Sequence, residues 1–408
     1  MDVPGFACLL KQQNMDSEVW WDSSPTACEP FKLRLLSRYP DSREYIEGLF
    51  ANPFSRHSGD FTGATTNPSL IARAVLDNSA KWGSYLDSLS LSLSSVEKAR
   101  RVYDQAVIEG ANQLHPLWVA SARRQGWLSA QIDGAERMGE GLLVARGMQL
   151  ASLAPNVMVK VPGSEQGYRA IEQLVSEGCS VNNTFCFTVS QVAACLKAIH
   201  NGRLRAQVQG INTDHARYVI SFMIGRLGIE PEFERQALQR RLHLTAADRR
   251  WAELAVYQAI QALLRRWQTP ARLLLCSLKI DTDVRGREHC WHLQRTGADT
   301  TLYTLTPQII EFLVRRQREG QPIQPTRGWV QVPKRVMNRL IAIPYFNQAY
   351  FEGDLAPADF SHHPAFLTAS HDAREGQERL LAFVKGAHGG EGMSATRPVL
   401  QVPMERAS

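Results

Sequence analysis

Residues 157–174 read VMVKVPGSEQGYRAIEQL. A short apolar run gives way to residues 165–175, where Tyr168, Ile171, Leu174 and Val175 fall on one face at helical spacing. A buried strand feeding an amphipathic helix is the unit from which parallel β/α folds are built. The same alternation recurs on both sides of it. Strand-like runs lie at 19–22, 61–66, 127–133, 180–185, 218–223, 273–279 and 300–305, with patterns of helical period between them. One such pattern, 245–267, opens on an N-cap threonine, Thr245, with Asp248 three residues on in a variant of the capping box. Eight strands with intervening helices predict a closed (β/α)8 TIM barrel. A doubly wound open sheet is the alternative, but no G-x-G-x-x-G follows the first run.

Two stretches are surplus to an eightfold barrel. Residues 80–123 are long and helical in pattern, and the chain after Arg318 mixes prolines and aromatics with one helical stretch at 372–384. The expected organisation is therefore a single barrel domain over 17–385 with extra helices and a C-terminal extension. Residues 386–408, rich in Gly, Pro and Ser without periodicity, read as a flexible tail.

The chain has 408 residues, 44% of them hydrophobic and 21% charged, with a formal net charge of +6. That balance excludes a disordered chain or a disulfide-stapled miniature. No run of about 18 apolar residues offers a membrane span. The first residues lack a basic segment ahead of an apolar one, so no signal peptide is expected. Seven cysteines, odd in number and without a C-x-x-C pair, suit a reducing, cytoplasmic setting. The arginine doublets at 240–241, 249–250 and 265–266 lie in helical stretches with intervening acids and read as solvated faces rather than a nucleic-acid surface.

Chemistry enters with Lys160. Burying an ammonium in an apolar strand is costly, and the ordinary explanation is a strand-end lysine reaching water. However, lysine occurs only nine times, and arginine is the default cation. A position that needs a neutral amine cannot use arginine. A desolvated lysine has a lowered pKa and can attack a carbonyl to form a Schiff base. A second stretch, GATTNPSLI at 63–71, crosses from strand to helix; on its own it is ordinary strand–turn–helix punctuation.

Together, GATTNPSLI and VMVKVPGSEQG closely resemble the two signature stretches of transaldolases, in order and in spacing. The resemblance runs from about residue 19 to 312, with a weaker echo at 341–360 and in the last helix. It implies a (β/α)8 barrel with a Schiff-base lysine on the fourth strand, here Lys160, and no metal or organic cofactor. Within VWWDSS, Asp22 matches the general acid/base of carbon–carbon cleavage; by itself it reads equally as a turn aspartate. Asn67 matches the asparagine that contacts substrate hydroxyls. SVNNTFCFTVSQ, at 180–191, supplies Asn182 and Thr184 as inward polar groups. YVISFMIGR supplies Ser221 and Arg226, the latter as a phosphate ligand. GADTTLYTLTPQIIEFL resembles the eighth-strand region structurally.

Three departures accompany these matches. In WLSAQID, Gln131 stands where transaldolases carry a glutamate that works with the strand-five threonine to activate water, and glutamine cannot exchange a proton near neutral pH. The related fructose-6-phosphate aldolases also carry glutamine there. Met223 aligns with the strand-six phenylalanine of transaldolases and tyrosine of the aldolases, with Phe222 one position earlier. In LLLCSLKID, Lys279 replaces the second phosphate-binding arginine and would act as a point charge rather than a fork.

The resemblance thus implies transfer of a dihydroxyacetone unit between sugar phosphates in carbohydrate metabolism, in the setting of the pentose phosphate pathway. An aldolase releasing free dihydroxyacetone and a non-catalytic sugar-phosphate-binding barrel are the alternatives. The partners expected are small-molecule sugar phosphates, with no nucleic acid and no membrane; a homodimer stays open. No metal site is expected, since His289 and His292 around Cys290 lack a second ligand pair and read as helix-surface or packing histidines. His362 and His363 read as loop residues.

Overall fold

The computed structural model describes residues 4–50, 59–135 and 138–387. Eight parallel strands close into a barrel: β1 (Glu18–Asp22), β2 (Phe61–Thr65), β3 (Trp127–Gln131), β4 (Val157–Pro162), β5 (Val181–Cys186), β6 (Tyr218–Phe222), β7 (Arg272–Leu275) and β10 (Leu302–Leu305). Each pairs in parallel with its sequence neighbour, and β10 closes the ring against β1. A separate two-stranded ribbon, β8 (Asp281–Thr282) with β9 (Glu288–His289), lies between β7 and β10. The (β/α)8 architecture is the one expected from the sequence.

The surplus segments are helical additions. Residues between β2 and β3 form Ser79–Asp87 and Ser95–Ala120, the latter fixed at its start by a complete Ser94/Glu97 capping box. After the helix Pro307–Arg318 come Lys334–Ile341, Pro344–Tyr350 and a long final helix, Pro364–Ala387, which begins eight residues before the periodic stretch at 372–384. The short helix Phe6–Gln13 ahead of β1 buries Phe6, Ala7 and Leu10, with the Phe6 ring edge-on to Tyr303 of β10. The tail expected at 386–408 lies outside the described residues from 388 onward. No helix among the described residues is long and apolar enough to cross a membrane.

Strand parity sorts the barrel. The positions Trp20, Trp127, Met158, Val219, Leu274 and Leu302 form an apolar cluster of their own, separate from the larger core between sheet and helices. This cluster is the barrel floor. Trp20 lies over Gly63 of β2, where an added Cβ would sit 2.7 Å from the indole. Below it, Glu18 accepts from the Trp20 indole N–H at 2.9 Å and pairs with Arg217, whose guanidinium stacks 5.4 Å from the Trp20 ring. Two residues further along the strands, toward their C-terminal ends, the interior turns polar.

Two sequence readings are corrected. The run 273–279 is not one strand. β7 ends at Leu275, and Ser277 takes a left-handed φ of 60°, which no extended strand accommodates. Lys279 consequently lies in a loop beyond the barrel strand. Arg250 is not on a solvated face; it is 7% exposed and paired with Glu253 and Asp281. His363 lies in the bend after the 3-10 turn Pro357–His362, a loop position as expected, and is buried against Phe187 and Tyr345.

Candidate active site

The polar layer begins two residues above the floor. From β1 to β10 it holds Asp22, Thr65, Ser129, Lys160, Asn182, Ser221 and Thr304, with Cys276 just past β7. Sheet register aligns its centre, since Gln131 lies beside Lys160 and Lys160 beside Asn182 across adjacent strands. Thr184 pairs with Pro162, two residues further toward the mouth. Gln131 and Thr184 are both buried, and among the described residues no hydrogen bond joins them.

Lys160 is 7% exposed, and its Nζ lies 3.5 Å from the Thr66 carbonyl. Burial lowers its pKa below the ordinary lysine value, opposed only in part by electrostatic coupling to Cys276 and Asp22. Gln131 adds no charge beside it, so desolvation remains the largest influence and works against the ammonium form. Asp22 is at a strand end. Burial pushes its carboxyl above the ordinary range, against the pull of the Lys160 charge and of the Thr65 and Thr304 hydroxyls. Thr65 donates to Asp22 Oδ1 at 3.0 Å. Burial thus disfavours the charged form of both groups, each of which also feels the other's charge. The Cys276 thiol, pushed up to about 12 by burial despite the Lys160 charge, stays protonated.

Asn182 is fixed at both ends. Its Oδ1 accepts from Ser221 Oγ at 2.8 Å, and its Nδ2 donates to Ser129 Oγ at 2.8 Å. Ser221 therefore orients Asn182 as well as lining the interior. Asn67 N-caps the helix Pro68–Leu76, its Oδ1 taking the Leu70 amide at 2.9 Å, so the free function of its side chain is the NH2. Met223 shares the parity of Ser221, while Phe222 belongs to the core behind the sheet. The pocket wall at this point is thus Met223, packed against Phe185, Phe187 and Phe366.

Arg226 and Lys279 stand outside the lysine layer, beyond the ends of β6 and β7. Lys279 is half-buried, and its pKa is lowered by burial and then by the neighbouring Arg226 and Arg250 charges. Gly225 makes this approach possible. A Cβ there would lie 1.9 Å from the Ser277 carbonyl and 3.0 Å from the Lys279 Cγ. Gly225→Ala should displace the 277–279 loop at a stability loss of about 1–3 kcal/mol, read as a lowered denaturation midpoint.

Beneath both loops lies a buried ionic network. Glu253, fully buried, accepts twice from Arg250 at 2.7 and 2.6 Å, once from the Gly228 amide at 3.1 Å, and contacts His292 Nε2 at 2.7 Å. His292 Nδ1 accepts from the Lys279 amide at 3.2 Å, so the ring proton sits on Nε2 and is donated to Glu253. His292 thus ties the Lys279 loop to the carboxylate that holds the β6 loop. Among the described residues no group of three or more His, Cys, Asp or Glu side chains is arranged to hold a metal.

Sequence reasoning missed Ser129, Thr65, Thr304, Cys276 and Asp372. The first four had a signal, because they share inward parity with Lys160, Asp22, Asn182 and Ser221. Asp372, which pairs with Arg226 from the final helix, had none.

A closed parallel barrel with a desolvated lysine on its fourth strand, a carboxyl on the first and paired cations at the mouth defines a class of β/α barrel suited to carbonyl chemistry. The chain belongs to the transaldolase/fructose-6-phosphate aldolase family, whose model it matches over residues 43–338. It is 31% identical over 171 residues to Transaldolase 1 of Streptomyces avermitilis, covering 41% of this chain and 45% of that protein. It is 27% identical over 216 residues to the transaldolase of Thiobacillus denitrificans, covering 52% and 59% of the two chains. For the transaldolase of Campylobacter jejuni subsp. doylei the figures are 27% over 193 residues, 45% and 56%. The matched stretch spans about half the length of these relatives.

Proposed function

We propose that this chain is a Schiff-base enzyme that transfers a dihydroxyacetone unit from a ketose phosphate to an aldehyde acceptor. The observation that carries the reading is Lys160, a buried amine with a lowered pKa set in a polar layer that also holds Asp22 and Asn182. In the proposed reaction the Lys160 amine adds to the C2 carbonyl of the donor and water leaves, giving an iminium. Asp22 takes the C4 hydroxyl proton and the C3–C4 bond breaks. Its electron pair passes to the iminium nitrogen, and an aldose departs from the enamine left on Lys160. The iminium serves as the electron sink, so the scheme calls on no metal or organic cofactor. Asn182 and the Asn67 NH2 hold the hydroxyls of the three-carbon unit, while Gln131 and Thr184 orient water for hydrolysis. An acceptor aldehyde then enters and the steps reverse, with Arg226 and Lys279 as the cations nearest a substrate phosphate.

Gln131 favours a second reading, release of free dihydroxyacetone, because a neutral amide in the lysine layer suits an enzyme that handles water differently from the glutamate-bearing transaldolases. Borohydride reduction in the presence of ketose phosphates, followed by mass spectrometry, should place the adduct on Lys160; failure to label it would sink both readings. Assays with and without acceptor divide them. Free dihydroxyacetone accumulating at the rate of donor loss even with acceptor present would favour the aldolase.

A further inference from the structure

Arg226 and Lys279 form a pair of cations at the barrel mouth, but the Arg226 guanidinium already has an anion. Its Nη2 donates to Asp372 Oδ2 at 2.5 Å. Asp372 belongs to the helix Pro364–Ala387, and that helix is seated by contacts that do not involve this carboxylate. Ser69 Oγ donates to the Asp372 carbonyl at 2.7 Å, and Gly376 packs so closely on Ser69 that a Cβ would lie 2.4 Å from its hydroxyl. Ala365, Phe366, Ala369 and Ala373 are buried with Phe185 and Phe187, and the Phe185 and Phe366 rings meet edge-on at 5.3 Å. The helix therefore presents the Asp372 carboxylate to Arg226 at a fixed place.

The other charges around the pair do not relieve it. Arg250, which faces Lys279, is neutralised by Glu253 and Asp281. The Glu230 carboxyl, bonded to Thr368 of the same final helix at 3.2 Å, also feels the Arg226 charge. The Arg226–Asp372 pair is only partly buried, with the two side chains 29% and 43% exposed, so a dissolved anion can reach and compete for the guanidinium.

A phosphate seated on Arg226 must displace Asp372 or lie against it, and like charges side by side are strongly disfavoured. We propose that Asp372 is a specificity-determining residue: an internal carboxylate that competes with a substrate phosphate for Arg226 and so weakens the pocket's preference for phosphorylated over unphosphorylated substrates. Discrimination by a repulsive element needs no contact with the favoured substrate. The inference rests on the carbonyl-transfer reading for its substrate class, while the anion competition is measurable without turnover.

The test uses Asp372→Asn and Asp372→Glu in the full chain, each first checked for an unchanged thermal unfolding midpoint. Inorganic phosphate is titrated by calorimetry, and KM is compared for glyceraldehyde with and without its 3-phosphate. Asp372→Asn should bind phosphate about tenfold more tightly and lower KM for the phosphorylated aldehyde alone, whereas Asp372→Glu should stay near the parent. Unchanged or weaker phosphate binding in Asp372→Asn would overturn the proposal and make Asp372 a brace for Arg226. Trapping of free dihydroxyacetone on Lys160 with borohydride is run on the same samples. Absence of that adduct would overturn the Schiff-base reading, whereas an intact adduct without the phosphate gain would overturn only the role of Asp372.

Discussion

Lys160→Arg is expected to abolish turnover, by a factor on the order of 10⁴ or more, and to eliminate the borohydride adduct. The guanidinium keeps the positive charge but cannot become a neutral nucleophile near pH 7. Lys160→Met should be equally inactive and, in contrast, more stable than the parent by about 0.5–2 kcal/mol. The sign follows from linkage. Burial holds the folded-state pKa of Lys160 below its ordinary 10.5. Between those two values the unfolded chain binds a proton that the folded chain does not, so stability rises with pH across that window. Removing the amine removes both the cost and that part of the pH dependence. Denaturation midpoints at several pH values would check it: a Met variant less stable than the parent at neutral pH would contradict a desolvated amine. Substantial residual turnover in Lys160→Arg would instead direct attention to Lys279 as the nucleophile. The acid limb of the rate profile should likewise fall below the range of a surface lysine, because protonation of Lys160 removes the nucleophile.

Glu253→Ala is expected to destabilise the fold by about 3–5 kcal/mol, the range for a buried ion pair that loses one partner. Its carboxylate, fully buried, takes four hydrogen bonds from Arg250, His292 and the Gly228 amide. Alanine leaves the Arg250 charge with Asp281 alone and the His292 N–H without an acceptor. Glu253→Gln should cost less, since the amide keeps one acceptor oxygen but turns an NH2 toward a donor. Urea denaturation would read both. A loss below about 1 kcal/mol for the alanine variant would mean that the network is not a structural tie. Because Glu253 anchors the β6 loop directly and the Lys279 loop through His292, the same variant should weaken binding of inorganic phosphate even where the protein remains folded.

The barrel was legible because short apolar runs, the signature of buried parallel strands, alternate with helical patterns along most of the chain. It failed at β7, where LLLCSLK looks extended throughout and only the left-handed Ser277 backbone stops the strand. Lys160 was legible as a charged residue inside an apolar run, whereas Asp22, Asn182 and Ser221 were singled out through the resemblance. Their partners Ser129, Thr65 and Thr304 were hidden in plain view, because serine and threonine are ordinary strand residues. Whether Phe222 or Met223 faces the pocket is a question of parity, which alignment leaves open and register decides. Arg250 was misread because helical charge patterns cannot reveal that a face is covered by another loop. Asp372 lies 146 residues from Arg226, and nothing local marks it.

The plug of Trp20, Gly63, Glu18 and Arg217 at the barrel floor has a kinetic meaning. Among the described residues it closes the floor beneath the lysine layer, which leaves the C-terminal ends of the strands as the side of approach. Under the proposed chemistry the aldose split from the donor has to leave through the opening by which the acceptor arrives, and the two cannot pass. Donor and acceptor must take turns, so initial-rate plots at varied concentrations of both should give parallel lines, with each substrate inhibiting at high concentration by occupying the doorway meant for the other.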